Sequence, residues 1–245
     1  MAAQRGLEKH PTGIESPPMG VAETAAMEPT GVVERPTLAI QNVVSTFYLG
    51  CKDLNLKQIA SRLKFLEFNP HKFAASTLRL TNPRTTALVF GSGNVVCTGA
   101  KTASKSRLAC RMVVNIFQKC GLPVGFSNFR IQNIVASVAG LEFPIKLREL
   151  NNDYAAYTSY ENSLFPGLIF RLRSPKIVFL LFRSGRLVVT GAKTEEEIVR
   201  YWNAFFDLVL INYIDVKDGL RCSSEYRQRN ETNEYSMNYF YEALK

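Results

Sequence analysis

The sequence predicts an α+β domain built from two similar halves, and three observations lead to this prediction. A stretch of the chain is repeated once, with matching segments 91 or 92 residues apart. Each copy contains several short segments with the two-residue period of β-strands and two segments with helical spacing. Several predicted strands carry apolar side chains on both faces, which is unusual for an antiparallel sheet with one wet face.

The repeat is the strongest of these observations. Ile40–Val44 returns as Ile131–Val135, and the segment at 98–102 returns unchanged at 190–194. Between residues 73 and 102, 14 of the 30 positions are identical to those 92 residues later. Two copies of this length predict a pseudosymmetric domain, because a solenoid needs at least three repeats.

Local patterns assign the elements of each copy. Leu54–Lys64 and Ser104–Lys119 have apolar residues at helical spacing, and the second helix is expected to end before Gly121. Strands separated by turns are expected at Leu38–Tyr48, Ala74–Leu80, Thr85–Phe90 and Val95–Thr98. In the second copy, Thr194 and Glu197 predict a capping box at the start of the last helix.

The strand segments raise the question of what covers the sheet. Leu88 and Phe90 share one strand face, while Ala87 and Val89 share the other, and the strand around Leu180 shows the same pattern. Because two helices per copy cover only one face, the strands alone favour a β-sandwich or a sheet covered on both sides. The alternative is an open apolar face that binds a ligand, and the floor of a DNA minor groove suits such a face.

Composition limits the possible functions. The net charge is +9, and region 37–215 holds 22 basic and 11 acidic residues, which favours a polyanionic partner. The chain has only two histidines and no glycine-rich phosphate-binding motif, so no enzyme is predicted. Five scattered cysteines are expected to be free thiols in a reducing compartment. No apolar run approaches the roughly 20 residues of a membrane span and no leader is visible, so an intracellular protein without a membrane partner is expected.

Several motifs, in order, resemble the TATA-box-binding protein (TBP) family. They are the Gln-Asn pairs at Gln41-Asn42 and Gln132-Asn133, the two Thr-Gly-Ala-Lys turns, and the segments Pro83–Phe90 and Leu164–Ile169. The resemblance covers residues 36–213 nearly without gaps. It implies an α+β fold, a pseudo-twofold saddle of two β-α-β-β-β-β-α repeats. These would form one curved ten-stranded antiparallel sheet with four helices on its convex face.

The chain is accordingly divided into four parts. Residues 1–36 are expected to form a disordered N-terminal arm, 37–123 the first TBP repeat and 124–215 the second. Residues 216–245 are expected to form a mobile C-terminal extension. The aromatic cluster at Tyr235–Tyr241 leaves open whether part of this extension forms a short helix on the core or on a partner.

The resemblance implies DNA binding through the concave face of the saddle. Apolar wedges that unstack base steps are expected at Phe73, Phe90, Phe165 and Phe182. Minor-groove contacts are expected from Asn42, Val44, Leu88, Val96, Thr98, Asn133, Val135, Leu180, Val188 and Thr190. Phosphate contacts are expected from Arg79, Lys101, Arg171, Arg186 and Lys193.

The resemblance further implies a nuclear transcription initiation factor with no cofactor and no small-molecule substrate. Its partners would be double-stranded TATA-like DNA, transcription factors IIA and IIB, and the TBP-associated factors of transcription factor IID. Surfaces for the protein partners are expected at Lys105, Arg107, Arg111, Lys119, Tyr160, Glu161 and Leu164.

The sequence departs from the family pattern on several of these surfaces. Asn94 replaces a basic residue, so one phosphate contact fewer is expected in the first repeat. Met112 and Asn115 replace basic residues beside the expected factor IIA surface, and Ser163 replaces an acidic residue beside the factor IIB surface. A TBP-related paralogue or a protein-interaction adaptor with weak TATA preference is therefore the alternative function. An RNA-binding sheet fits less well, because its aromatic residues would lie among polar ones.

Overall fold

The computed structural model describes residues 35–139, 141, 143–215 and 234–245. Within these residues the chain forms one ten-stranded antiparallel sheet, five α-helices and a short 3-10 turn. The first repeat contains β1 (Leu38–Tyr48), α1 (Leu56–Arg62), β2 (Leu66–Glu67), β3 (Ala75–Thr81), β4 (Arg84–Phe90), β5 (Asn94–Ala100) and α2 (Ala103–Lys119). The second contains β6 (Ser127–Val138), α3 (Leu147–Asp153), β7 (Thr158–Ser159), β8 (Gly167–Arg171), β9 (Val178–Phe182), β10 (Leu187–Ala192), α4 (Glu195–Leu208) and the 3-10 turn Leu210–Tyr213, and α5 (Glu234–Leu244) follows it.

The order of the strands in the sheet reproduces the sequence repeat. From one edge to the other the order is β2-β3-β4-β5-β1-β6-β10-β9-β8-β7, so the two halves are related across the junction of β1 and β6. These two central strands pair antiparallel, with Leu38 opposite Val138 and Val43 opposite Ile134. The pairing joins both repeats into one sheet and places equivalent residues at equivalent positions on either side of its centre.

The two faces of the sheet differ in their cover. Ala87 and Val89 of β4 are 1% and 0% exposed, and they belong to a core shared with α2. Leu88, which alternates with them, is only half-buried, and no described helix or strand lies over it. The β-sandwich favoured by the strand patterns alone is therefore wrong, because all ten strands belong to one sheet and the helices pack on one of its faces.

The helix-covered face holds a separate core in each repeat, and the second core is rich in aromatic rings. The rings of Phe179 on β9 and Phe205 on α4 stack with centroids 4.0 Å apart. The indole N–H of Trp202 donates a hydrogen bond to the carbonyl of Pro36 at 3.2 Å, which fixes the start of the described chain against α4. These rings face the helices and are thus distinct from the phenylalanines expected to act as wedges.

The long helices α2 and α4 begin in the same way. The hydroxyls of Thr102 and Thr194 accept hydrogen bonds from the backbone N–H groups of Lys105 at 3.1 Å and Glu197 at 3.0 Å. The predicted capping box at Thr194 is only partly correct. The Glu197 carboxylate accepts from the N–H of Lys193, one residue before the cap. The repeated Thr-Gly-Ala-Lys-Thr segments therefore join the end of a strand to the cap of a helix in both repeats, rather than forming the turns that the sequence predicts.

The C-terminal helix α5 adds to the four helices that the resemblance implies. Phe240, Ala243 and Leu244 are at most 5% exposed and belong to the core of the second repeat, where α5 packs against α4. Of the possibilities that the sequence left open for the aromatic cluster, the structure shows a short helix on the core, anchored by these buried side chains. The rest of the C-terminal extension and the predicted arm at residues 1–34 lie outside the described residues.

The observed boundaries lie close to the predicted ones, with two omissions. Helix α1 is shorter than the predicted Leu54–Lys64, because the Asn55 side chain caps it by accepting from the N–H of Gln58 at 3.0 Å. The two-residue edge strands β2 and β7 are too short to show any period. Among the described helices, none combines the length and the apolar character that crossing a membrane requires. The four described cysteines carry free thiols, and Cys222 lies outside the described residues.

Candidate nucleic-acid interface

The uncovered face of the sheet, called the open face below, carries every side chain predicted to contact the minor groove. These side chains are half-buried and alternate with the core residues: Asn42, Val44, Leu88, Val96, Thr98, Asn133, Val135, Leu180, Val188 and Thr190. Strand pairing arranges them in matching rows, with Leu88 opposite Val96 in one repeat and Leu180 opposite Val188 in the other. One continuous surface therefore spans both repeats.

Two pairs of phenylalanine rings lie towards the ends of this surface. Phe73 and Phe165, in the β2–β3 and β7–β8 loops, are 49% and 41% exposed. Phe73 meets Phe90 at 6.1 Å between ring centroids, and Phe165 meets Phe182 at 5.8 Å, with an interplanar angle of 66° in both pairs. Exposed aromatic rings in an edge-to-face arrangement are thus presented in the same geometry by both repeats.

Gly167 provides the space for the second pair. A Cβ atom at this position would lie 2.6 Å from the ring of Phe165 and 3.0 Å from the ring of Phe182. Real Cβ atoms essentially never approach so closely, so a side chain at this residue would displace the rings. The equivalent residue of the first repeat is Ala75, where the two rings lie slightly farther apart.

Asn42 and Asn133 lie near the centre of the open face, and each carboxamide oxygen is engaged by the neighbouring strand. Oδ1 of Asn42 accepts from the N–H of Gly99 at 2.7 Å, and Oδ1 of Asn133 accepts from the N–H of Gly191 at 2.8 Å. Because backbone N–H groups are obligate donors, they fix which end of each carboxamide is the oxygen. The amide nitrogen is consequently the group that can donate to a ligand on the open face.

The hydroxyls of Thr98 and Thr190 lie beside the two carboxamides, so each repeat carries one asparagine–threonine pair on the open face. Thr98 donates to Oδ1 of Asn42 at 3.1 Å, and the Thr190 hydroxyl accepts from Nδ2 of Asn133 at 3.0 Å, which leaves that amide nitrogen one further hydrogen to donate. The remaining open-face side chains are aliphatic, and none of the ten is a titratable group. Such a surface offers apolar contact together with a few amide and hydroxyl groups that can form hydrogen bonds.

The predicted phosphate-binding arginines differ between the repeats. Arg79 forms an ion pair with Glu67 at 2.5 Å, and both side chains are exposed. Ser159 occupies the position equivalent to Glu67, so Arg171 lacks this partner. An exposed ion pair contributes only about 0–1 kcal/mol, so a phosphate can compete for Arg79, but Glu67 leaves a negative charge beside it.

The other predicted phosphate ligands are exposed at the ends of strands. Lys101 and Lys193 directly follow β5 and β10. Arg186 immediately precedes β10, whereas Asn94 at the equivalent position starts β5 and donates from its side-chain amide to the Ser92 hydroxyl at 3.1 Å. The first repeat therefore carries fewer uncompensated cations around the open face, and the phosphate contacts themselves stay predictions.

The residues predicted to bind protein partners fall on two separate surfaces. Lys105, Arg107, Arg111 and Lys119 are all exposed on α2. Tyr160, Glu161 and Leu164 lie in the β7–β8 loop, where Leu164 is 86% exposed. Glu161 accepts hydrogen bonds from the backbone N–H and the hydroxyl of Ser163, and these lower the pKa of its carboxyl. The loop therefore presents an ionised carboxylate beside an exposed apolar side chain.

Sequence reasoning did not find the aromatic support of the α2 surface. The Arg107 guanidinium lies 4.7 Å from the ring centroid of Phe129, and both Arg107 and Arg111 lie within 6 Å of the Phe126 ring. Cation–π contacts of this kind restrain the arginine side chains. The residues come from the linker after α2 and from β6, and no local pattern links them to the helix.

These features define the class of the protein. A duplicated sheet with one helix-covered face and one open apolar face that spans both repeats is the framework of a protein that binds a ligand along that face. The family model described as "Transcription factor TFIID (or TATA-binding protein, TBP)" matches residues 37–120 and 128–210, more than half of the chain.

Similar proteins agree with this match. The chain is 52% identical to TATA-box-binding protein 2 of Arabidopsis thaliana over 169 residues, covering 69% of this chain and 82% of that protein. It is 46% identical to the TATA-box-binding protein of Acetabularia peniculus over 184 residues, covering 75% and 93%. The solved structure of Methanococcus jannaschii TBP is similar with a TM-score of 0.62 and 34% identity, covering 70% of this chain and 97% of that one. The chain belongs to the TATA-binding protein family of non-enzymatic, DNA-binding transcription factors, and its open face is the concave face of the family's curved sheet.

Proposed function

We propose that this protein is a general transcription initiation factor that binds TATA-like promoter DNA in the minor groove, kinks it with paired phenylalanines and nucleates preinitiation complex assembly. The observation that carries the proposal is the pair of phenylalanine rings held in the same geometry at each end of an uncovered apolar sheet. Phe73 and Phe165, which are 49% and 41% exposed in the free protein, would lose contact with water on entering a duplex. Their burial therefore favours the bound state.

The wedges and the open face act in sequence in this proposal. Inserting Phe73 and Phe90 at one end, and Phe165 and Phe182 at the other, unstacks a base step at each end. The minor groove then widens enough to meet the concave sheet, and the TATA-box-binding protein family is itself the standard example of such kinking. The duplex in turn supplies the cover that the open face lacks.

The chemistry of the open face predicts a preference for A·T pairs. In the minor groove these pairs present only acceptors, to which the amide nitrogens of Asn42 and Asn133 can donate. A G·C pair adds the guanine amino group, which would meet aliphatic side chains such as Val44 and Val135 and would lose its hydrogen bond to water. Discrimination therefore arises from one unfavourable contact for each interior G·C pair.

A comparison of two duplexes tests the DNA preference. A duplex carrying TATAAA is expected to bind at least tenfold more tightly than one with two interior G·C pairs, since each mismatched pair costs about 1–3 kcal/mol. The measurement is a gel shift at one stated salt concentration, with circular-permutation bending on the same fragments. Equal affinities would contradict the preference and favour the adaptor or paralogue function.

The two surfaces that carry the predicted partner-binding residues, α2 and the β7–β8 loop, support a proposal about protein partners. We propose that α2 contacts transcription factor IIA, that the β7–β8 loop contacts transcription factor IIB, and that TBP-associated factors of transcription factor IID bind in the nucleus. The exposed cations of α2 and the exposed Leu164 beside ionised Glu161 support these assignments. Apolar side chains rimmed by charge are typical of transient protein interfaces.

Ser163 provides a test of the factor IIB surface. Ser163→Glu is expected to strengthen factor IIB binding several-fold, mainly through a faster association rate at low salt, because it restores a second acidic charge in the β7–β8 loop. The measurement is the rate of factor IIB association with the protein–DNA complex. Asn152→Glu, on α3, adds the same charge outside the loop and should have no such effect. An unchanged rate for Ser163→Glu would place the factor IIB contact elsewhere.

A further inference from the structure

The C-terminal helix α5 ends against the turn that joins β8 to β9. The Ala243 carbonyl accepts hydrogen bonds from the backbone N–H of Arg173 at 2.8 Å and of Ser174 at 3.3 Å. The Lys245 carbonyl accepts from Nη1 of Arg173 at 3.2 Å. The last turn of a helix leaves its carbonyls without helical partners, and here the backbone N–H groups of the β8–β9 turn supply the missing donors. The bond from Nη1 also fixes the Arg173 side chain.

Helix α5 is anchored independently of Arg173. Phe240 is fully buried, with its ring 6.4 Å from that of Phe205 on α4. The Tyr239 hydroxyl donates to the carbonyl of Arg200 at 3.0 Å, and its ring packs edge-to-face on Tyr201 at 5.2 Å. The helix lies beyond the residues that match the family model.

Arg173 is exposed at the rim of the open face. It lines an open groove of about 550 Å³ together with Arg171, Lys176 and Val178, and Val178 is a half-buried residue of the open face. The Arg173 guanidinium also lies 5.9 Å from the ring centroid of Tyr157. Three cations thus line one groove, and none of them is paired with an Asp or Glu side chain among the described residues, although Nη1 of Arg173 also contacts the main-chain oxygen of Lys245.

The equivalent groove of the first repeat is less basic. Part of its lining lies 92 positions earlier in the chain, with Thr81 in place of Arg173 and Arg84 in place of Lys176. Its Arg79 is paired with Glu67. The two rims therefore differ in charge although the two halves of the open face are nearly alike.

We propose that α5 holds Arg173 at the rim of the open face, where its guanidinium binds a backbone phosphate and makes the second repeat the stronger electrostatic half of the DNA interface. The inference rests on the proposed minor-groove binding. A DNA backbone follows the edge of any protein lying in its minor groove, so a rim cation meets phosphates. A guanidinium is well suited to this contact, because its planar donors bind two phosphate oxygens at once.

Salt dependence measures the contact directly. The logarithm of the binding constant for a TATAAA duplex is expected to fall less steeply with the logarithm of salt concentration in Arg173→Thr, by about 0.9, the value for one phosphate. Between 50 and 200 mM salt the wild-type protein would then lose about 3–4-fold more affinity than the variant. Arg173→Lys keeps the charge and should keep the wild-type slope. Lys57→Thr, on the helix-covered side, removes one charge and should leave the slope unchanged.

A second pair of variants tests the role of α5. Phe240→Ala loosens the helix and is expected to reduce the slope like Arg173→Thr, with no further reduction when both are combined. Thermal melting reports whether the variant still unfolds cooperatively, and Leu244→Ala is the milder replacement if it does not. If Phe240→Ala and Arg173→Thr reduced the slope additively, α5 would not position Arg173. The same would follow if Phe240→Ala loosened the helix and still showed the wild-type slope.

The outcomes separate this inference from the proposed function. A wild-type slope in Arg173→Thr, with TATA preference intact, would overturn the phosphate contact and leave the proposed function standing. If the wild-type protein itself shows no TATA preference and no DNA bending, the proposed function fails at the first step, before any variant is compared.

Discussion

Replacing Phe165 and Phe182 together by alanine is expected to remove the DNA kink at one end of the site and to weaken binding by at least 30-fold, with the fold intact. Stacking between a base and an aromatic ring contributes about 1–3 kcal/mol, so the loss of two rings corresponds to about 2–6 kcal/mol. The fold should persist because Phe165 lies in a loop and Phe182 projects onto the open face, away from the helices.

Circular permutation measures the bend, and thermal melting measures the fold. Phe179→Ala is a matched control, because Phe179 lies on the same strand as Phe182 but faces the helices and stacks on Phe205 at 4.0 Å. It should lower the free energy of unfolding by about 3–5 kcal/mol, as expected for a large cavity in a core. If the double variant were destabilised as much as this control, the two rings would be core residues and the wedge function would be wrong.

The second large effect is expected at the centre of the open face. Asn133→Asp should weaken binding to TATAAA by more than a hundredfold while leaving the thermal melting nearly unchanged. The carboxylate can still accept from the N–H of Gly191, so the strand contact survives. An oxygen replaces the amide nitrogen, however, and it would face the acceptors of the groove and add a negative charge near phosphates, at a cost of several kcal/mol.

Two further variants isolate this effect. Asn42→Asp, related to Asn133 by the repeat, should give a loss of the same order, since its oxygen is held by Gly99 in the same way. Asn152→Asp places the same charge on α3 and should alter affinity little. Binding by Asn133→Asp within a few-fold of wild type would show that these carboxamides do not donate to the DNA.

The sequence predicted much of the fold because the repeat and the strand period are local properties. Leu38–Tyr48 is predicted and observed with the same bounds, and the start of α2 differs from its prediction by one residue. The edge strands β2 and β7 escaped prediction because two residues carry no period. The strand patterns alone pointed to a sandwich or to a sheet covered on both sides, since they reveal which side chains share a face but not whether anything covers that face.

The candidate interface likewise contains residues that the sequence could predict and contacts that it could not. The open-face residues could be named from the sequence because the family motifs lie on strands that alternate strictly. The Arg107–Phe129 contact and the hydrogen bonds from the β8–β9 turn to α5 could not, because they join residues that lie far apart in the chain. Such contacts require knowing which elements are neighbours.

By itself, the sequence determined the duplication, the family and the side chains that share the open face, because each follows from residue identity and short-range spacing. Only the tertiary structure decided that this face has no cover in the described protein, that the phenylalanines meet in pairs, and that α5 holds Arg173 at the rim. These depend on long-range packing: Phe73 and Phe90 are brought together by the pairing of β3 with β4, and Arg173 meets Lys245 across 72 residues of chain.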